Sequence, residues 1–166
     1  REVVLLDYTE VEFLLAEAAA RGGYTGVGVA ATHYANAVTS SIIYWDGTSA
    51  QAAAYIAQPG VDYATLIGAG QPWKEVIGTQ AYYAYYMRGM SAWLSWRRLD
   101  YPRLKASPES VLTGGKMPIR YIYPIADLTL NTTNYKAAAV AIGGDDATTA
   151  LFWDKFHYNT VTGADN

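Results

Sequence analysis

The sequence predicts an all-α fold, on two observations: helical periodicity of the apolar residues and glycine or proline pairs between the periodic stretches. Apolar side chains recur at intervals of three and four through the first hundred residues, which is the spacing of one helix face. Half of the residues (51%) are hydrophobic and 16% are charged, as in globular proteins. A chain of 166 residues fits one domain and is long enough to bury a core.

The first predicted helix runs from about residue 9 to residue 21. Thr9 and Glu12 have the spacing of a capping box, and Gly22-Gly23 ends the helix. The predicted core face is an amphipathic stripe made of Val11, Leu14, Leu15, Ala18 and Ala19. The same pattern places the carboxylates on the outer side, at Glu10, Glu12 and Glu17.

A second helix is predicted from about Val29 to Tyr44, ended by Asp46-Gly47. Its residues Ala30, Tyr34 and Ala37 have the small–aromatic–small spacing of the second helix of a tetratricopeptide hairpin. One such hairpin cannot bury its own faces and needs neighbours. We therefore expect the sequence to begin inside a larger protein.

Further helices are predicted as far as Arg98. Residues 49–58 form a short helix ended by Pro59-Gly60, and residues 61–71 form a loop with at most one helical turn. A longer helix follows Pro72 and runs through residues 73–87. Four tyrosines near its end, Tyr82, Tyr83, Tyr85 and Tyr86, are expected to be enclosed by other helices. The last helix ends near Arg98 and is expected to direct Met90, Trp93 and Leu94 into the core.

The chain changes character after Tyr101-Pro102. Prolines and polar clusters predict irregular structure, with a possible strand at 119–123, a turn at 143–146 and a short helix at 150–156. The predicted organisation therefore has three parts. Residues 1–58 are a tetratricopeptide-like hairpin and a short helix, residues 72–98 are buried aromatic helices, and residues 99–166 are an irregular, proline-rich tail.

Charge and cysteine content exclude several classes of protein. The formal net charge is −3, which argues against a nucleic-acid partner, since such proteins need a basic face. Charge is nevertheless uneven, at −5 over residues 1–73, +5 over 74–136 and −3 over the remainder. The absence of cysteine excludes disulfides and thiol chemistry. No apolar run reaches the ~18 residues of a membrane span.

Catalytic and metal-binding patterns are not found in the sequence. The two histidines, His33 and His157, are far apart and lack ligand spacing. Asp145-Asp146 is interpreted as a solvated turn, since the alternating spacing of a calcium loop is missing. Glu75, Glu109, Asp127 and Asp154 are scattered and do not suggest the paired carboxylates of a glycosidase. We predict a non-enzyme without metal or cofactor.

Several segments, in order, resemble the SusD/RagB family of outer-membrane lipoproteins. The acidic, alanine-rich stretch Leu5–Arg21 is similar to the family's "AE…LLAEAA" helix. The family's "I.TQ…G.EAW..WRR..YP.L" block is matched by Ile77–Gln80, Gly89–Arg98 and Tyr101–Leu104. Later motifs are matched by Pro118–Pro124, Asn131–Tyr135, Gly143–Asp146 and Leu151–Asp154. Departures from the pattern occur at Ser91, Asp127 and Phe152.

The resemblance implies that the chain is the C-terminal portion of a glycan-capture protein on the extracellular face of the outer membrane. The parent would be held there by a lipid anchor that this chain lacks. It would present an oligosaccharide to a SusC-like TonB-dependent transporter. The family's binding residues vary and lie mostly upstream, so the resemblance implies no site residue here. The alternative is a protein-interaction module that docks on the transporter or another protein without its own ligand site.

Fifteen tyrosines and five tryptophans supply many possible stacking surfaces for a sugar. Trp93 and Trp96, with Arg97 and Arg98, are interpreted as structural. The three candidate ligand-binding residues are Trp45, Tyr63 and Trp73, which lie beside a turn or a glycine-containing loop. Three such contacts predict binding by this chain alone at about the millimolar level at best, because association itself costs ~4 kcal/mol or more.

Overall fold

The computed structural model describes residues 4–106 and 116–154. The chain divides into two compact units, Arg1–Pro102 and Arg103–Asn166. The described residues contain eight α-helices and no strand, which confirms the predicted all-α class. The strand predicted at 119–123 is therefore wrong.

Six helices lie in the first unit: α1 (Tyr8–Arg21), α2 (Ala30–Tyr44), α3 (Ser49–Ile56), α4 (Tyr63–Gly68), α5 (Trp73–Ala84) and α6 (Gly89–Leu99). Two lie in the second unit: α7 (Ile125–Leu130) and α8 (Thr132–Ala141). The predicted ends of α1 to α3 agree with the structure to within two residues. By contrast, α5 ends at Ala84 and not at Met87, which adopts a left-handed φ of 65°.

The N-terminus of α1 is capped by Asp7 and not by Thr9. The Asp7 carboxylate accepts a hydrogen bond from the Glu10 amide at 2.8 Å. Thr9 lies inside the helix, where it is buried and donates to Ser40 Oγ on α2 at 3.1 Å. The predicted capping box is wrong because an aspartate two residues upstream already occupies the cap position.

The buried face of α1 differs from the predicted apolar stripe. Val11 and Leu14 are 38% and 44% exposed. The buried residues have the same helical spacing but include two carboxylates: Thr9, Glu12, Phe13, Ala16 and Glu17. Glu12 contacts His33 of α2, and Glu17 pairs with Arg21 and with Arg98 of α6. Paired charges can be buried, and periodicity of apolar residues alone does not reveal such pairs.

Helices α1 and α2 form the predicted antiparallel hairpin. The Thr9–Ser40 contact near one end and the Phe13–Tyr34 ring contact further along set this direction. Tyr34 and Ala37 are fully buried, as the small–aromatic–small pattern predicts. The Tyr34 hydroxyl donates to the Val61 carbonyl at 2.7 Å and so ties α2 to the chain before α4.

Residues 61–71 contain a six-residue helix, α4, where at most one turn was predicted. The missed signal is Asp62, whose carboxylate accepts from the Thr65 amide at 2.7 Å. The preceding helix, α3, begins with a complete capping box between Thr48 and Gln51. Both short helices thus start at a polar side chain that satisfies free backbone amides.

Helices α5 and α6 approach closely at Gly78. A Cβ atom at this position would lie 3.2 Å from the Tyr101 carbonyl oxygen and 3.3 Å from Leu99 Cβ. The buried residues of α6 are Ala92, Ser95, Trp96 and Leu99. The predicted core face of α6 is therefore wrong, since Met90 and Leu94 are 54% and 51% exposed and Trp93 is only partly buried.

The tyrosines at the end of α5 differ in environment. Tyr85 is 4% exposed and its ring lies 6.2 Å from that of Phe13. Tyr83 and Tyr86 are 57% and 65% exposed, so the prediction that other helices enclose them is wrong for the described residues. Tyr86 is exposed because α5 ends at Ala84, so this residue lies beyond the helix.

The second unit contains two helices within the predicted irregular tail. The side chain of Asp145 is only 6% exposed. It forms an ion pair with Arg120 at 3.1 Å and accepts hydrogen bonds from the Tyr123 amide and the Tyr135 hydroxyl. The predicted turn is present, with positive φ at Gly143 and Gly144, but Asp145 is not solvated there.

The last predicted helix is not seen as far as Asp154, where Phe152 and Trp153 form a turn. Its remaining residues, with His157 and Glu109, lie outside the described residues.

Candidate ligand-binding cleft

An open cleft of ≈ 430 Å³ lies in the first unit, where three segments meet. The C-terminal end of α2 contributes Ser41, Tyr44 and Trp45. The other lining residues come from the start of the chain and from the α5–α6 connection: Val4, Asp7, Thr9, Ala84, Tyr86, Met87, Arg88, Gly89, Met90 and Ser91. We call it the aromatic cleft.

Three aromatic rings form one side of the aromatic cleft. The Trp45 ring centroid lies 5.4 Å from that of Tyr44 and 5.4 Å from that of Tyr86. Tyr44 and Tyr86 are 50% and 65% exposed. Each ring combines an apolar face with a polar edge, a combination that suits stacking against a sugar ring in water.

Local backbone structure places Trp45 at this position. Gly47 donates its amide to the Ile42 carbonyl at 2.9 Å, and Asp46 adopts a φ of 65°, which turns the chain sharply after α2. A Cβ on Gly47 would lie only 2.5 Å from Ile42 Cγ2 and 2.8 Å from the Ile42 carbonyl oxygen. The turn therefore requires glycine and fixes the residue that follows α2.

Arg88 supplies the positive charge of the aromatic cleft. Its guanidinium pairs with Asp7 at 3.1 Å and with Glu10, and lies 5.1 Å from the centroid of the Tyr85 ring. Burial lowers the pKa of Arg88, but the hydrogen bond to Glu10 and the two carboxylate charges outweigh burial and raise it. One cation and two anions leave this group with a net negative charge, which does not favour an anionic ligand.

A second cleft of ≈ 350 Å³ lies on the same unit. Its lining residues are Val38, Ser41, Ile42, Gln51, Tyr55, Gln80, Tyr83 and Ala84. We call it the amide cleft, after its two glutamines. The Tyr55 hydroxyl donates to Gln80 Oε1 at 3.0 Å and so links α3 to α5.

Of the three candidate residues, the structure places only Trp45 in the aromatic cleft. Tyr63 lies at the start of α4, and its ring is 5.4 Å from the buried Tyr34. Trp73 begins α5 and packs against the core, with the Arg21 guanidinium 5.6 Å from its ring. Neither Tyr63 nor Trp73 lines the aromatic cleft, and a ligand role for all three stays a prediction.

Sequence reasoning missed Tyr44, Tyr86 and Arg88 as lining residues. Tyr86 was assigned to an enclosed helix that was drawn three residues too long. A usable signal was Gly89, since a glycine permits a break in a helix. A helix that ends before the break would have left Tyr86 exposed to solvent, as the structure shows.

The described parts of the chain contain no group of three His, Asp or Glu side chains placed to hold a metal ion. His33 instead bridges Glu12 and the Val27 carbonyl. None of the helices in residues 4–106 and 116–154 has the length and apolar character needed to cross a bilayer.

The family model and the solved structures that match this chain agree with one another. A SusD-like family model, described as starch-binding and associating with the outer membrane, matches residues 1–124. A Bacteroidetes AC2a SusD-like structure is 30% identical over 91% of the chain, with a TM-score of 0.78. A SusD homolog from Bacteroides uniformis ATCC 8492 is 30% identical over 92% of the chain, with a TM-score of 0.74. A chitin-binding protein is 34% identical over 89% of the chain, with a TM-score of 0.60.

The chain corresponds to about a third of each of these structures, at 30%, 32% and 37% of their lengths. No match was found among curated protein sequences. The family model nevertheless covers most of the sequence, and the all-helical fold agrees with that of the matched structures. The chain belongs to the SusD-like family, whose members are described as starch-binding and associated with the outer membrane.

Proposed function

We propose that the protein captures a neutral oligosaccharide at the extracellular face of the outer membrane and delivers it, uncleaved, to a SusC-like TonB-dependent transporter. The observation that carries the glycan part is the cluster of Tyr44, Trp45 and Tyr86 along an open cleft. The family's description and the chitin-binding relative support sugars of the glucose and N-acetylglucosamine type. Delivery to the transporter rests on the family resemblance.

The aromatic cleft is suited to weak binding. Each aromatic contact contributes ~0.5–1.5 kcal/mol beyond the apolar area it buries. Association costs ~4 kcal/mol or more, so a few contacts give a dissociation constant of about 1 mM for a short ligand. A polysaccharide would be retained more strongly than a short ligand, because many repeats present the same epitope.

Capture without cleavage is supported by the carboxylates nearest to the aromatic cleft. A glycosidase needs one protonated carboxylic acid and a second carboxylate on the other side of the scissile bond. Asp7 and Glu10 both pair with the single guanidinium of Arg88, and Asp7 also caps α1. Incubation with starch and chitin should release no reducing ends. Turnover that disappears in Asp7→Asn would contradict the proposal.

Binding is tested by titrating the ¹⁵N-labelled 166-residue chain with maltohexaose and chitohexaose at millimolar concentration. We expect amide shifts at the C-terminal end of α2 and in the α5–α6 connection. Trp45→Ala should abolish these shifts. The matched control is Trp73→Ala, which should keep them, because Trp73 does not line the cleft. No response to either sugar, or loss in Trp73→Ala alone, would contradict this placement.

A protein-interaction module is the second candidate, and the surface of α1 favours it. Tyr8, Val11 and Leu14 lie on one side of this helix and are 58%, 38% and 44% exposed. An apolar helix face of this kind is typical of a docking surface. Pull-down of the transporter by the chain, lost in Leu14→Glu while sugar binding persists, would favour docking through α1.

A further inference from the structure

We infer that the amide cleft is a second glycan subsite, continuous with the aromatic cleft, so that the chain binds an extended neutral oligosaccharide and not a single sugar. This inference rests on the proposed function. It adds a second site whose side chains differ from those of the aromatic cleft, and it requires a ligand long enough to reach both sites. Each of these two points can be tested separately.

The two clefts adjoin along α2. Val38, Ser41 and Ile42 line the amide cleft, and Ser41 also lines the aromatic cleft together with Tyr44 and Trp45. From residue 38 to residue 45 the helix advances ~10 Å at 1.5 Å per residue. Ala84, the last residue of α5, is likewise common to both. Each cleft alone is near the lower end of the ~300–1,000 Å³ range of ligand sites, whereas the pair lies well inside it.

The amide cleft offers hydrogen-bond donors to a ligand. Gln51 Oε1 accepts from the Thr48 amide at 2.8 Å, and Gln80 Oε1 accepts from the Tyr55 hydroxyl at 3.0 Å. Both amide oxygens are thus engaged. Gln51 is exposed, so its –NH₂ end is open to a ligand, whereas Gln80 is only 8% exposed. Hydroxyl, ring and glycosidic oxygens of a sugar, and an acetamido carbonyl, accept such bonds.

Tyr83 adds a stacking surface beside these amides. It lines the amide cleft, is 57% exposed, and lies one helical turn from Gln80 on α5. The combination of an aromatic face and amide donors is what a pyranose ring requires, since its axial C–H groups are apolar and its rim is polar.

The ligand class follows from charge. The described residues that line the amide cleft carry no charged side chain, and in the aromatic cleft the Arg88 guanidinium is already paired with Asp7 and Glu10. Burying an anionic sugar there would cost desolvation without a compensating cation. The groove therefore suits neutral polymers of glucose or N-acetylglucosamine.

The decisive experiment measures affinity against chain length, with maltose to maltohexaose and chitobiose to chitohexaose titrated into the 166-residue chain. Two variants test the amide cleft. Tyr83→Ala removes the stacking surface. Gln51→Glu removes the donor while its carboxylate still accepts from Thr48 and so preserves the capping box of α3. Tyr24→Ala, 62% exposed and outside both clefts, is the control.

The wild-type chain should bind the hexasaccharide more tightly than the disaccharide. Each variant should weaken hexasaccharide binding by about 3- to 10-fold, the effect of one lost contact, and leave disaccharide binding unchanged. Affinity independent of length and unaffected by Tyr83→Ala, but lost in Trp45→Ala, would overturn the second subsite and leave the proposed function intact. Absence of binding at every length would contradict both.

Discussion

His33 bridges Glu12 of α1 and the loop that joins α1 to α2. Its Nδ1 lies 2.7 Å from Glu12 Oε2, and its Nε2 lies 2.5 Å from the Val27 carbonyl oxygen. Both partners accept hydrogen bonds, so the doubly protonated imidazolium satisfies both contacts at once. The hydrogen bond to Glu12 raises the pKa of His33; burial opposes this, and the Val27 carbonyl adds to it.

The first prediction concerns the pH dependence of stability. A histidine whose folded pKa is above its unfolded value of about 6.5 stabilises the fold fully below that pH. Its contribution is lost as the pH rises through the folded pKa. The free energy of unfolding should therefore fall as the pH rises above about 6.5 and through the raised pKa of His33. In His33→Gln, which does not titrate, this fall should be absent.

Urea denaturation at half-unit pH intervals measures this slope. His157→Gln, which removes the other histidine of the sequence, is the comparison variant. If His33→Gln keeps the slope and His157→Gln loses it, the bridge does not control stability in this range.

Glu12 should add a separate loss of stability in acid. Burial raises its pKa, but hydrogen bonds from Tyr8, His33 and Asn36 outweigh burial and lower it below 4.5.

The second prediction compares how much the two tryptophans of α6 contribute to stability. Trp96 is 2% exposed and its Nε1 donates to the Pro102 carbonyl at 2.9 Å, whereas Trp93 is only partly buried. Trp96→Ala should lower the free energy of unfolding by ~3–5 kcal/mol, since it leaves a large cavity. Trp93→Ala should cost clearly less. Equal losses in equilibrium denaturation would show that the assigned face of α6 is wrong.

The third prediction tests the crossing of α5 and α6 at Gly78. A Cβ there would meet the Tyr101 carbonyl oxygen at 3.2 Å and Leu99 Cβ at 3.3 Å. Gly78→Val should destabilise the fold by ~1–3 kcal/mol through overpacking. Gly78→Ala should cost less, because alanine gains ~1 kcal/mol in helix propensity.

Gly89→Ala is the matched control for the crossing, since a Cβ at Gly89 meets nothing within 4 Å. This substitution should be neutral or slightly stabilising. A Gly78→Val variant that melts like the wild type would show that the two helices separate freely at this point.

Helix ends were predictable where the backbone itself sets them. Gly22 adopts a φ of 75°, and Pro59-Gly60 follows α3, and neither depends on distant residues. Buried faces were less predictable, because Glu17 is buried through Arg98, 81 positions later in the chain. No local pattern in α1 shows that this carboxylate has a partner.

In the candidate site too, the residue set by local backbone structure was predictable and the one that depends on a distant segment was not. Trp45 was predicted from its turn, and the structure places it on the cleft. Tyr86, whose ring contacts Trp45, lies just beyond the end of α5. The predicted helix extended to Met87 and therefore placed Tyr86 inside a helix enclosed by others. Pairing of two rings from distant segments depends on where α5 stops, and α5 stops without proline or glycine at Ala84. The sequence carries no stop signal at Ala84 itself, so it did not locate this boundary.

The last prediction concerns the hydroxyl of Tyr34. This side chain is fully buried, and burial raises the pKa of its phenol, so the hydroxyl keeps its proton at physiological pH. It donates to the Val61 carbonyl at 2.7 Å. Tyr34→Phe keeps the ring but leaves that carbonyl without its donor, which should cost ~1–2 kcal/mol. Tyr24→Phe, at a 62% exposed position, is the control and should be neutral.

Because the hydrogen bond ties α2 to the chain before α4, its loss should also speed hydrogen exchange of α4 amides selectively. Uniform protection across α4 in Tyr34→Phe, with unchanged stability in urea, would mean that α4 is held by its apolar contacts alone, chiefly the Tyr63 ring against Tyr34.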